Sequence, residues 1–114
     1  MSEHPDTRIR ILVVDDHFVV RMGLVASLNL EPDMAVVAEA SDSQQALDQF
    51  RKHRPNIVLM DLRMPDVDGV AATALLCRET PPARIIVFSS FAGDENVRRA
   101  LEAGAHAYLI KSGR

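Results

Sequence analysis

The chain has 114 residues, which suits one compact domain and is short for two. Its apolar share of 47% and charged share of 25% are those of an ordinary globular protein, and no apolar run approaches the ~20 residues of a membrane span. A net charge of −3 with scattered basic residues, one tyrosine, four phenylalanines and no tryptophan excludes a phosphate-binding stripe or a base-stacking platform, so direct nucleic-acid binding by this chain is not expected.

The chain opens with Met1-Ser2-Glu3-His4-Pro5-Asp6, polar and without a signal-peptide pattern, and its single cysteine, Cys77, leaves no internal disulfide. A soluble, cytoplasmic protein is expected. The first apolar run, Ile11-Leu12-Val13-Val14, has the length of a strand. Val20, Leu24 and Leu28 then fall four apart, with Gly23 on the same face, and predict a helix. Ala35-Val36-Val37-Ala38 predicts the second strand. Asp42 or Ser43 caps the second helix, Ala46, Leu47 and Phe50 form its stripe, and Pro55 ends it. The Arg51, Lys52 and Arg54 cluster reads as a solvated helix end. Ile57-Val58-Leu59-Met60 is the third strand, and Val70, Ala74 and Cys77 mark the third helix. Pro81-Pro82 breaks the chain before the fourth strand, Ile85-Ile86-Val87-Phe88. Val97, Ala100, Leu101 and Gly104 give the fourth helix, and Ala107-Tyr108-Leu109-Ile110 the fifth strand.

No strand run alternates polar with apolar, so each is expected to be buried on both faces, as in a parallel sheet. Strands alternating with helices predict an α/β fold with right-handed crossovers. The sequence ends at Ser112-Gly113-Arg114, before the fifth helix that such doubly wound sheets usually carry. A fragment of a longer protein, or a partner over that face, is expected.

In open α/β sheets, ligands bind beyond the carboxyl ends of the strands. The first strand ends in Asp15-Asp16 and the third in Asp61. Helix capping accounts for an Asp after the first strand, but not for Asp61, because Leu62-Arg63-Met64-Pro65 follows it and starts no helix. Three carboxylates in one crevice repel one another unless a cation compensates. With hard oxygen donors and no His or Cys at a metal-binding spacing, Mg²⁺ fits better than Zn²⁺. His17 reads as a first-turn helix residue. The fourth strand ends in Ser89-Ser90 and the fifth in Lys111, at the same edge of the sheet. An acid pair, an acid, a hydroxyl and a lysine on strand ends point to an Asp nucleophile that accepts a phosphoryl group.

Val13-Val14-Asp15-Asp16-His17, Met60-Asp61-Leu62-Arg63-Met64-Pro65 with Gly69, Val87-Phe88-Ser89-Ser90 and Tyr108-Leu109-Ile110-Lys111 together resemble the response-regulator receiver domain. Gly23-Leu24 and the Phe88-Ser89 form of the fourth strand resemble its NarL/FixJ (LuxR-type) subgroup. The resemblance implies a doubly wound, flavodoxin-like five-stranded parallel sheet of order 2-1-3-4-5, here lacking the fifth helix. It implies Asp61 as phosphoacceptor from a sensor histidine kinase or a small phosphodonor. Asp16 and Asp61 would bind Mg²⁺ directly, Asp15 through water, and Arg63 through its backbone carbonyl. Ser89 would be the switch hydroxyl, Lys111 the phosphate partner and Tyr108 the aromatic rotamer switch, with Gly69 and Pro65 shaping the loop after the acceptor.

The resemblance also implies a longer regulator with a DNA-binding helix-turn-helix domain, a homodimer on phosphorylation, and no enzymatic turnover beyond self-phosphorylation and self-dephosphorylation. Two departures stand out: Ser112 where a Pro often follows the lysine, and Phe18 where the subgroup often has Pro. Neither touches the phosphorylation chemistry. A flavodoxin-like cofactor domain would offer a Gly- or Ser/Thr-rich first loop, and Asp15-Asp16-His17 is the opposite. A phosphohydrolase would need an acid where Arg63 stands. A phosphorylation-independent interaction or dimerisation module of the same fold is the remaining alternative.

Overall fold

The computed structural model describes residues 7–62, 69–79, 83–89 and 95–110, with backbone alone for Ser89, Glu95, Asn96 and Ile110. Five strands form one parallel sheet: β1 (Ile9–Val14), β2 (Met34–Ala40), β3 (Ile57–Asp61), β4 (Ile85–Ser89) and β5 (Ala107–Ile110). Four helices join them: α1 (Phe18–Asn29), α2 (Ser43–His53), α3 (Gly69–Cys77) and α4 (Glu95–Ala103). The strand order is β2-β1-β3-β4-β5, as expected. The order reverses between β1 and β3, so the carboxyl ends of those two strands flank the switch point.

The sheet is clad unequally. On one face Leu12, Val14, Val58, Met60, Ile85 and Val87 pack under α2, α3 and α4. Burial of each such side chain contributes about 1.5–3 kcal/mol. On the other face Ile11, Val13, Leu59 and Phe88 lie with half-buried Leu24, Val25 and Leu28 of α1. No residue of α1 is fully buried.

This corrects the expected stripe of α1: Val20 is 42% exposed and Gly23 has open space beside it, while Arg21, Leu24, Val25 and Leu28 face inward. Arg21 displaces the apolar stripe because its guanidinium anchors the helix, donating to the Asp15 carbonyl (2.7 Å) and to Glu39 Oε1 (3.0 Å). Nor is β5 buried on both faces: Tyr108 is 44% and Leu109 54% exposed. As an edge strand it pairs with β4 alone.

The caps follow from local chemistry. Asp42 accepts the Gln45 amide (2.8 Å) and starts α2, and Arg54 in the left-handed region (φ 46°) ends it, with its amide on the Phe50 carbonyl (2.8 Å). Gly104 (φ 124°) ends α4 in a Schellman arrangement, with Ala105 N–H on the Ala100 carbonyl and Gly104 N–H on that of Leu101. In α3 the inward face is Val70, Ala72, Thr73 and Leu76, with Ala74 and Cys77 only partly buried. Thr73 is tolerated there because its hydroxyl donates to the Gly69 carbonyl (2.8 Å). On α4, Val97 and Ala100 are buried while Leu101 stays 38% exposed.

Candidate functional site

β1 and β3 lie side by side with Val14 opposite Met60, so the residues that follow, Asp15 and Asp61, leave the sheet at the same level. Both side chains are fully buried, and Asp16 beside them is 20% exposed. Ligand-capable atoms of Asp15, Asp16, His17 and Asp61 all lie within 4.8 Å of one another. Neither Asp15 nor Asp16 caps α1 through its side chain; that position belongs to His17, which makes no side-chain cap. Asp15 instead accepts the His17 backbone N–H at Oδ1 (2.9 Å), and its own amide donates to the Ala40 carbonyl (3.0 Å).

The acids converge because β1 and β3 are neighbours. A cation in the crevice would offset their mutual repulsion. Asp15 Oδ2 and Asp16 Oδ1 are buried oxygens that accept no hydrogen bond from the described residues. A buried carboxylate oxygen without a donor costs several kcal/mol in order of magnitude unless positive charge replaces the lost water. A hard dication fits this donor set.

Gly69 sets the floor. A Cβ there would stand 2.7 Å from the Leu62 Cα and 2.8 Å from the Asp61 carbonyl oxygen, so only glycine lets the start of α3 press against the end of β3. The Leu62 amide donates to the Phe88 carbonyl (3.2 Å), which holds the end of β3 against β4.

The other expected site residues sit as follows. Ser89 closes β4 at this same edge, opposite Ile110 of β5, and its side chain lies outside the described residues. Tyr108 lies opposite Val87, which puts it on the α4 side of the sheet. Arg63, Pro65 and Lys111 lie outside the described residues.

Two residues at the site carried little signal in the sequence. His17 turns its ring over the acids, with Nδ1 3.1 Å from Asp15 Oδ1, 3.1 Å from Asp16 Oδ1 and 3.8 Å from Asp61 Oδ2. Arg21 holds the acid loop by its backbone rather than by its charges. A lone helical arginine reads as solvated, and only the four-residue step from His17 to Arg21, one helical turn, hints otherwise.

A cavity of about 430 Å³ lined by Phe50, Arg54, Asn56, Arg84 and His106 lies at the opposite end of the sheet. The polar groups of that end are largely paired within the protein. Asn56 Oδ1 takes the Arg10 amide (2.8 Å), and Arg10 donates in turn to the His53 and Arg54 carbonyls. Arg51 pairs with Glu79 (3.1 Å), which holds the Glu79 carboxyl below its usual range. Burial pushes the Cys77 thiol up, which keeps it neutral against Gly104.

Residues 11–114 match the response regulator receiver domain family. The chain belongs to that family. Among curated relatives it is 45% identical over 104 residues to the transcriptional regulatory protein LiaR of Bacillus subtilis (strain 168), covering 91% of this chain and 49% of that protein. Among solved structures it is similar to a LuxR-family two-component response regulator from Aurantimonas sp. SI85-9A1 (TM-score 0.86, 40% identity, 92% of this chain and 75% of that one). It is also similar to the receiver domain of the putative response regulator NarL from Mycobacterium tuberculosis (TM-score 0.86, 34% identity, 94% and 86%). The two solved structures are described as a LuxR-family regulator and a NarL, which agrees with the subgroup expected from the sequence. The receiver spans about half the length of the curated relatives it matches. No helix among its described residues is long and apolar enough to cross a membrane.

Proposed function

We propose that this receiver is a switch set by phosphorylation of Asp61 in a Mg²⁺-dependent reaction. The observation that carries the reading is the meeting of two fully buried carboxylates, Asp15 and Asp61, with Asp16 at the switch point of the sheet. Asp15, Asp16, Asp61 and the Arg63 carbonyl are the groups that would hold the ion. Once bound, Mg²⁺ supplies positive charge against both the carboxylates and an incoming phosphoryl group.

The chain's own groups do the rest. An Asp61 carboxylate oxygen attacks phosphorus, the new P–O bond forms as the bond to the donor breaks, and the electron pair leaves with the donor. The donor is a phosphohistidine of a sensor kinase or an acyl phosphate. The Ser89 hydroxyl donates to one phosphoryl oxygen and the Lys111 ammonium opposes the charge of another. Drawing Ser89 inward vacates space into which Tyr108 turns, which shifts α4 and β5 between two packings. The domain turns over no external substrate.

The output belongs to a longer protein. The relatives' LuxR type and doubled length favour a helix-turn-helix DNA-binding domain beyond this receiver, acting in the cytoplasm, with homodimerisation on phosphorylation.

The deciding experiment is the intact mass after incubation with acetyl phosphate and Mg²⁺, beside Asp61→Asn and a chelated sample. One added phosphoryl group, absent from both controls, is expected. A folded protein that gains none would point to a phosphorylation-independent interaction module.

A further inference from the structure

We propose that His17 is a ligand of the divalent-cation site and shifts its preference from Mg²⁺ toward first-row transition dications. The inference rests on the acidic crevice being a cation site, and adds a nitrogen donor to it.

Position supports the assignment. His17 sits between the acid pair and α1 with extended backbone (φ −89°, ψ 107°), where a side chain commonly caps its helix, yet its own makes no cap bond. The ring points into the crevice instead. Donors at right angles around an ion with bonds of about 2.1 Å lie about 3.0 Å apart. Nδ1 stands 3.1 Å from Asp15 Oδ1 and 3.1 Å from Asp16 Oδ1, close to that spacing. The crevice also holds the fully buried Asp15 Oδ2, which accepts no hydrogen bond from the described residues.

Chemistry supplies the selectivity. Carboxylate oxygens suit Mg²⁺, whereas imidazole suits the later first-row dications, with affinity rising from Mn²⁺ to Cu²⁺. To act as a ligand, Nδ1 offers its lone pair and the ring proton sits on Nε2. The side chain is 56% exposed, so water can accept from that N–H. The backbone N–H of His17, donated to Asp15 Oδ1, fixes the residue beside the acid pair. The competing geometry has Nδ1–H donating to Asp15 Oδ1 and the ring standing where the ion must go. A ligand favours nitrogen-seeking ions; an obstacle weakens all ions alike.

The test compares the purified chain with His17→Ala and His17→Gln, each checked for folding by circular dichroism. Mg²⁺ and Co²⁺ affinities are measured by titration, and the Mn²⁺-loaded proteins by pulsed electron paramagnetic resonance. The expected result is a Co²⁺-to-Mg²⁺ affinity ratio at least tenfold lower in both variants, with an imidazole nitrogen coupling to Mn²⁺ seen only in the parent chain. An unchanged ratio without nitrogen coupling overturns the proposal and leaves the phosphorylation switch standing. Tighter binding of both ions in the variants overturns it too, and makes the ring an obstacle. If the parent chain binds no dication at millimolar concentration, the cation site itself fails and this inference with it.

Discussion

The two ends of the sheet solve the same problem in opposite ways. At the amino end, strand termini and helix ends close on one another: Arg10 bonds two carbonyls at the end of α2, Asn56 exchanges bonds with the Arg10 backbone, and Glu79 takes Arg51. At the carboxyl end, three carboxylates crowd together, and Asp15 Oδ2 and Asp16 Oδ1 accept no hydrogen bond from the described residues. Groups satisfied within the protein serve stability. Crowded, unpartnered groups cost stability, and an ion bound there would recover it.

The sharpest way to break this contrast is Gly69→Ala. A methyl group would meet the Leu62 Cα at 2.7 Å and the Asp61 carbonyl at 2.8 Å, both backbone, with no flexible side chain to give way. A loss of about 3 kcal/mol in urea unfolding is expected, with slower phosphorylation because Asp61 moves. A loss under 0.5 kcal/mol would mean the carboxyl end has slack.

A second experiment measures the deficit directly. Mg²⁺ at about 100 times its Kd should stabilise the chain by about 2.7 kcal/mol, since the ion binds only the folded state. Asp15→Asn should lose that response and, in chelator, unfold about 1 kcal/mol later than the parent, because one of the crowded charges is gone. A variant less stable than the parent without the ion would show that the acids are not in conflict.

The smallest effect belongs to the amino end. Arg10→Met should cost about 1 kcal/mol by removing charge-assisted bonds to helix-end carbonyls that water can partly replace. Its Mg²⁺ response should match the parent's. A changed response would couple two ends that the geometry keeps apart.

Much of this was legible in the sequence. Continuous apolar runs mark the five strands, and Asp15, Asp16 and Asp61 stand at the ends of β1 and β3 because those runs stop there. What periodicity alone missed was sidedness. Val20 sits at the right spacing for a buried stripe, but Arg21 claims the inward position through hydrogen bonds that no hydropathy pattern records. Apolar Tyr108 and Leu109 read as buried, yet β5 is an edge, and edges are decided by strand order rather than local composition. His17 was read as a helix residue because its neighbours along the chain are visible and the direction of its ring is not. Gly69 was placed in a loop; its need for closeness to Leu62 is a tertiary fact.

The register of β1 on β3 carries a further consequence. Val14 meets Met60, and the acid pair and Asp61 are separated by a helix-strand-helix excursion (α1, β2, α2) before they meet. A slip of β3 by one residue would turn Asp61 to the opposite face and carry it about 3.3 Å along the strand, away from Asp15. On the proposed function, a chain still folding, or folded out of register, would present no aspartate to phosphorylate. The chemistry would then double as an inspection, with only finished molecules given a signal to carry.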